Sequence, residues 1–178
     1  MPTYALMLRG INLGPKRRVA MGELRSAFAD AGFGDVRTYV QSGNVVLGAD
    51  AGRAELERAS ERLIADRFGF DVPVVARSGD DLARVVSGNP LADVADDPKR
   101  YQVSFLSDEL GETAVARLRE LVAPGEALAF GEREVYAWHP RGIARSKLSL
   151  ALGGKGLEVT ATSRNWTTVT TLLEMARG

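Results

Sequence analysis

The chain contains no cysteine. That excludes disulfide scaffolds, iron–sulfur clusters, cysteine-based zinc sites and thiol nucleophiles, and it suits a reducing compartment. There is a single histidine, His139, so multi-histidine metal sites are excluded and Ser-His-Asp chemistry has one candidate base. No apolar run approaches the roughly 18 residues of a membrane span. The N-terminal MPTYALMLRG has no basic segment ahead of a long apolar stretch, so no signal peptide is read there. A cytoplasmic protein without membrane segments is therefore expected. Net charge is also lacking: 23 Lys and Arg balance 23 Asp and Glu, which weakens the case for a polyanion binder.

What remains is the composition of an ordinary globular chain, 178 residues with 45% hydrophobic and 26% charged side chains. A protein of this length buries roughly 70% of its unfolded surface and needs no staple. The charge is unevenly placed. Residues 1–20 carry Arg9, Lys16, Arg17 and Arg18 and no acid, and residues 140–178, which include Arg141, Arg145, Lys147, Lys155 and Arg164, are likewise +4, leaving −8 between them. Two basic ends can form one basic cleft if they meet in space.

Hydrophobic periodicity gives the same element order twice. Strands are expected at Thr3–Leu8, Val36–Val40, Asn44–Leu47 and Val72–Ala76, with helices at Met21–Ala31 and Arg53–Phe68. A short helix at Gly79–Ser87 and a Pro-bounded linker follow. The second set has strands Tyr101–Leu106, Ala127–Phe130, Glu134–Trp138 and Leu157–Ala161, and helices Thr113–Val122, Arg145–Leu152 and Trp166–Ala176. The order β-α-β-β-α-β predicts an α+β fold of two ferredoxin-like halves with mainly antiparallel sheets. The halves are placed at 1–77 and 78–178, with the linker near 88–99, although no residue-level identity links them.

Four polar motifs fall where elements end. Arg9-Gly10-Ile11-Asn12-Leu13-Gly14 frees backbone N–H groups and offers an arginine fork, but matches neither nucleotide-loop pattern. Gln41-Ser42-Gly43-Asn44 is a β-turn by composition that also presents two amides and a hydroxyl. Arg145-Ser146-Lys147 places two cations around a hydroxyl at a helix start, the best local signal for an anion. Thr162-Ser163-Arg164-Asn165-Trp166 reads as an N-cap with an aromatic anchor, leaving Arg164 unexplained. On Glu134–Trp138, Tyr136 and Trp138 share one face, to stack a base or, more in keeping with a second sheet to cover, to pack. His139 follows directly and is expected at an exposed strand end. No fixed-spacing cation loop or paired-carboxylate pattern is present, so no metal site and no catalytic residue is assigned.

Taken together, LRGINLG, YVQSGNVV, GIARSKL and TSRNWTTV, in that order from about Ala5 to Leu173, resemble the bacterial family catalogued as Domain of Unknown Function 1697. The resemblance implies an α+β fold related to ferredoxin-like halves and no reaction. It also implies a shared polar site at the matching motif residues. The expectation is therefore one basic, amide-rich cleft between the halves, in which Arg9, Arg145, Lys147 and Arg164 converge with Asn12, Gln41, Ser42, Asn44, Ser146 and Asn165. Its ligand would be a small anion, a nucleotide or phosphorylated metabolite. The alternatives are single-stranded nucleic-acid binding and a structural or protein-interaction module without catalysis. No cofactor and no oligomeric state is read from the sequence.

Overall fold

The structure, a computed structural model, describes residues 1–154 and 156–178; Lys155, counted above among the C-terminal cations, lies outside the described residues. The chain divides into two compact units, Met1–Val85 with Thr171–Gly178, and Val86–Thr170. The first contains β1 (Thr3–Leu8), α1 (Met21–Asp30), β2 (Gly34–Tyr39), β3 (Asn44–Gly48), α2 (Arg53–Phe68) and β4 (Val74–Ser78), and α3 (Gly79–Ser87) begins in it. The second contains β5 (Tyr101–Leu106), α4 (Glu112–Glu120), β6 (Ala127–Phe130), β7 (Glu134–Trp138), a 3-10 turn at Ile143–Arg145, α5 (Lys147–Gly153) and β8 (Ala161–Asn165). The last helix, α6 (Trp166–Arg177), starts there and ends in the first unit.

Each unit holds one four-stranded antiparallel sheet, ordered β2-β3-β1-β4 and β6-β7-β5-β8. This is the split βαβ order in which the first and third strands of each unit lie at the centre, and it bears out the α+β fold of two ferredoxin-like halves. In the first unit Leu6, Leu8, Val45, Leu47, Val74 and Ala76 face a core shared with Leu24 and Phe28 of α1 and Leu56 and Ile64 of α2. The equivalent core of the second unit joins Leu106, Val135, Ala137 and Ala161 to Leu118 of α4 and to Leu148 and Leu152 of α5. Residues alternate along a strand, and the opposite faces are buried too, with Ala5, Met7, Val46, Val75 and Arg77 in one and Val103, Phe105, Tyr136, Trp138 and Arg164 in the other.

The register equates individual residues of the two units. Ala5 of β1 pairs with Val46 and Arg77, and Val103 of β5 pairs with Tyr136 and Arg164. Arg77 and Arg164 are therefore counterparts, and in both the Nη1 donates to the carbonyl of the preceding residue at 2.9 Å. Each is followed by a helix cap: Ser78 Oγ accepts from Asp81 N–H and Asn165 Oδ1 from Thr168 N–H. Edge strand β4 is protected as well, since the Val74 and Ala76 N–H groups donate to Glu61 and Glu57 of α2.

β2 starts two residues earlier and β4 two residues later than expected, and two further elements differ more. The last strand is not Leu157–Ala161 but Ala161–Asn165. Leu157, 2% exposed, fills the core from the preceding loop, and the strand begins where Ala161 pairs with Leu106. The polar residues that follow are ladder residues, with Ser104 and Ser163 hydroxyls 2.6 Å apart. The helix expected at Arg145–Leu152 is split, because Ser146 has extended backbone (φ −89°, ψ 124°) and caps α5 by accepting from Ser149 N–H.

Candidate functional site

In the first unit the chain leaving β1 turns through Gly10 (φ 70°) and Asn12 (φ 55°). Asn tolerates this left-handed conformation better than most residues. Asn12 then clamps the loop: its Nδ2 donates to the Val19 and Gln41 carbonyls and its Oδ1 accepts from Val19 N–H, at 2.8–2.9 Å. Arg17 closes the same loop from the other side, donating to the Gly10 and Asp71 carbonyls and lying over the Phe70 ring. The turn 41–44 packs onto this loop. Gly43 (φ 89°) approaches Ile11 so closely that a Cβ there would sit 2.7 Å from Ile11 Cδ1. Asn44, fully buried, donates from Nδ2 to the Tyr39 carbonyl and to Ser42 Oγ. The structure thus brings the Arg9–Gly14 and Gln41–Asn44 motifs together, with the amides of Asn12 and Asn44 bonded within the loops. Arg9 is half-buried beside them, and Gln41 and Ser42 are exposed.

In the second unit the Arg145-Ser146-Lys147 motif borders a pocket of about 230 Å³, lined also by Leu121, Ala123, Glu126 and Arg141. Arg141, Arg145 and Lys147 are exposed, and among the described residues none of the three has a carboxylate partner. Glu126 forms part of the wall. Its Oε2 accepts from Ser146 Oγ (2.6 Å) and from His139 Nδ1 (2.5 Å), and its Oε1 accepts from Ala123 N–H. Burial alone would raise the Glu126 pKa, but the bonds from Ser146, His139 and Ala123 outweigh it and hold the carboxyl below its ordinary value. The carboxylate is therefore ionised at neutral pH.

His139 corrects its expectation: it is 1% exposed, not solvated at a strand end. Its Nε2 lies 2.9 Å from Gln102 Oε1, so both ring nitrogens are engaged inside the unit. Sequence reasoning missed Glu126 and Gln102. Glu126 follows Pro124-Gly125 and reads as an exposed turn residue; the isolated His139 was the only hint of a buried polar group nearby. Tyr136 and Trp138, 5% and 7% exposed, are buried.

Arg164 and Asn165 are separate from the pocket lining. Arg164 is buried in β8, its Nη1 donating to Thr162 Oγ1 and the Ser163 carbonyl, and burial pulls its pKa down to about 10. Asn165 caps α6, and Trp166 stacks on Tyr101 with ring centroids 4.8 Å apart. Among the described residues, no helix is long and apolar enough to cross a membrane.

The family model described as Protein of unknown function (DUF1697) matches residues 1–136. Among curated proteins, none matches. The structure of conserved bacterial protein SP0830 from Streptococcus pneumoniae is similar over 98% of each chain, with a TM-score of 0.81 and 25% identity.

Proposed function

Because the chain belongs to the DUF1697 family of proteins of unknown function, its role has to come from its own chemistry, and we propose that it binds a small anionic ligand, a phosphorylated metabolite or nucleotide, at the pocket beside Ser146. One observation carries this reading. Among the described residues, three cations, Arg141, Arg145 and Lys147, border one pocket without a carboxylate partner, while Glu126, the acid among its described lining residues, is held by three hydrogen bonds. Unpaired cations at a concave site attract an anion, and arginines can grip it through two parallel hydrogen bonds.

Thermal denaturation with inorganic phosphate, phosphorylated metabolites and nucleotides, at low and high salt, tests it. A ligand at a hundred times its Kd stabilises the fold by about 2.7 kcal/mol. A phosphate compound should raise the Tm of the chain and fail to raise that of Arg145→Ala. The absence of any shift, or a shift preserved in Arg145→Ala, contradicts the reading. The single-stranded nucleic-acid alternative requires instead a shift with oligonucleotides alone that collapses in salt.

A further inference from the structure

We infer that the anion taken by this pocket is a small phosphomonoester carrying hydroxyl groups, with Glu126 and Ser146 as the residues that select the hydroxyls. The inference rests on the anion-binding reading above and deepens it.

The polar groups of the pocket divide by chemistry. Arg141, Arg145 and Lys147 can only donate hydrogen bonds. Glu126, ionised, can only accept, and its carboxylate offers about four acceptor positions, two on each oxygen. In a side chain 4% exposed, Oε2 accepts from His139 Nδ1 and Ser146 Oγ, whereas Oε1, among the described residues, accepts from the Ala123 N–H alone. Ser146 Oγ has given its hydrogen to Glu126 and accepts from Ser149 N–H, so what it retains is acceptor capacity. A bare anion would satisfy the cations and meet nothing on this wall except a repelling carboxylate. A ligand that satisfies both sides needs an anionic end and, next to it, hydrogen-bond donors.

Charge and size narrow the class. Three cations against one carboxylate leave +2 at the lining, which matches a phosphomonoester near its second ionisation, at about −1.5 to −2. A ligand whose donor were an ammonium would carry less net negative charge and match less well. The volume of about 230 Å³ lies under the range of about 300–1,000 Å³ typical of pockets for larger ligands, so a compact phosphorylated polyol fits better than a dinucleotide. Leu121 and Ala123 supply an apolar wall for its carbon skeleton.

Calorimetric titration of the full chain with inorganic phosphate, propyl phosphate, glycerol 3-phosphate and 2-aminoethyl phosphate tests this. Propyl and glycerol phosphates share size and charge and differ in hydroxyls. The expected result is glycerol phosphate bound about tenfold or more tightly than propyl phosphate, the worth of a hydrogen bond to a charged group. That preference should disappear in Glu126→Gln and shrink in Ser146→Ala while inorganic phosphate still binds. Equal binding of propyl and glycerol phosphates by the unsubstituted chain overturns the inference and leaves the anion site standing, whether or not either variant folds. Tighter binding of 2-aminoethyl phosphate than of glycerol phosphate overturns the hydroxyl assignment. No binding of any of the four overturns the anion reading itself.

Discussion

The two units repeat one sheet but distribute their connections differently. In the first unit the long connection follows the first strand, residues 9–20, and the step from third strand to second helix is short, residues 49–52. The second unit reverses this, with a short step after β5 (residues 107–111) and a long one after β7 (residues 139–146). The helices follow suit: α2 has 16 residues, and its counterpart α5 has 7 and is preceded by a 3-10 turn. The long connection of the first unit is braced by its own side chains, Asn12 and Arg17 both bonding backbone carbonyls. That of the second ends in a pocket edged by Arg141, Arg145 and Lys147. One sheet order thus carries long connections at different places, braced from within in the first unit and bordering a pocket in the second.

Substitutions at equivalent places would sharpen or break this comparison. The largest effect is expected at Glu126. Glu126→Ala strips Ser146, His139 and the Ala123 N–H of their acceptor and, at about 1–3 kcal/mol for each buried donor left unpaired, should cost about 3–5 kcal/mol in urea denaturation at pH 7. The pH dependence has a definite sign. A carboxyl held below its unfolded value of 4.5 contributes stability above that pH, and loses it as pH falls through the folded pKa. Glu126→Gln should therefore lose less stability than the unsubstituted chain between pH 5 and pH 3; equal losses would show that Glu126 is not the group responsible.

The next effect separates the two β-hairpins. Gly43→Ala must hold φ 89° and place a Cβ 2.7 Å from Ile11 Cδ1 and 2.9 Å from Leu8 Cβ, so a loss of about 2–3 kcal/mol is expected. At Gly131, in the matching β6–β7 turn, φ is not in the left-handed region and the nearest contact would be the Glu134 carboxylate at 3.1 Å. Gly131→Ala should cost less than about 1 kcal/mol. Equal costs at the two glycines would remove the claim that the first unit's turn is packed against its long loop. The smallest effect tests the symmetry directly: Ser78→Ala and Asn165→Ala each delete the cap that follows a counterpart arginine, and each should cost about 1 kcal/mol.

Much of this architecture was legible because apolar spacing marked it. β1, β5, β7 and α2 have the limits that the sequence predicts, and the structure ends α2 in a left-handed C-cap at Gly69 (φ 81°). β8 was misplaced because its pairing residues are polar: Thr162, Ser163 and Arg164 are held by ladder bonds and side-chain contacts that hydrophobicity does not register. For the same reason the kinship of Arg77 and Arg164 is invisible in a one-dimensional comparison, yet plain in the strand register. The motifs were partly ambiguous by chemistry. Asn12 and Asn44 use their amides on backbone within the loops, and residue type alone does not distinguish an amide that clamps a loop from one that meets a ligand. The Arg145-Ser146-Lys147 signal led to a pocket, but its acidic wall residue, Glu126, sits behind an ordinary Pro-Gly turn.

The central claim is that the lengthened connection of the second unit, and not that of the first, receives the anion. Backbone amide chemical shifts followed during a titration with inorganic phosphate address it most directly. The account predicts that saturable changes concentrate at Gly142–Ser149 and around Glu126, and that Arg145→Gln abolishes them with stability unchanged within about 0.5 kcal/mol. Changes confined to residues 9–18 and 40–44, or spread evenly over the exposed cations without saturating, would contradict it.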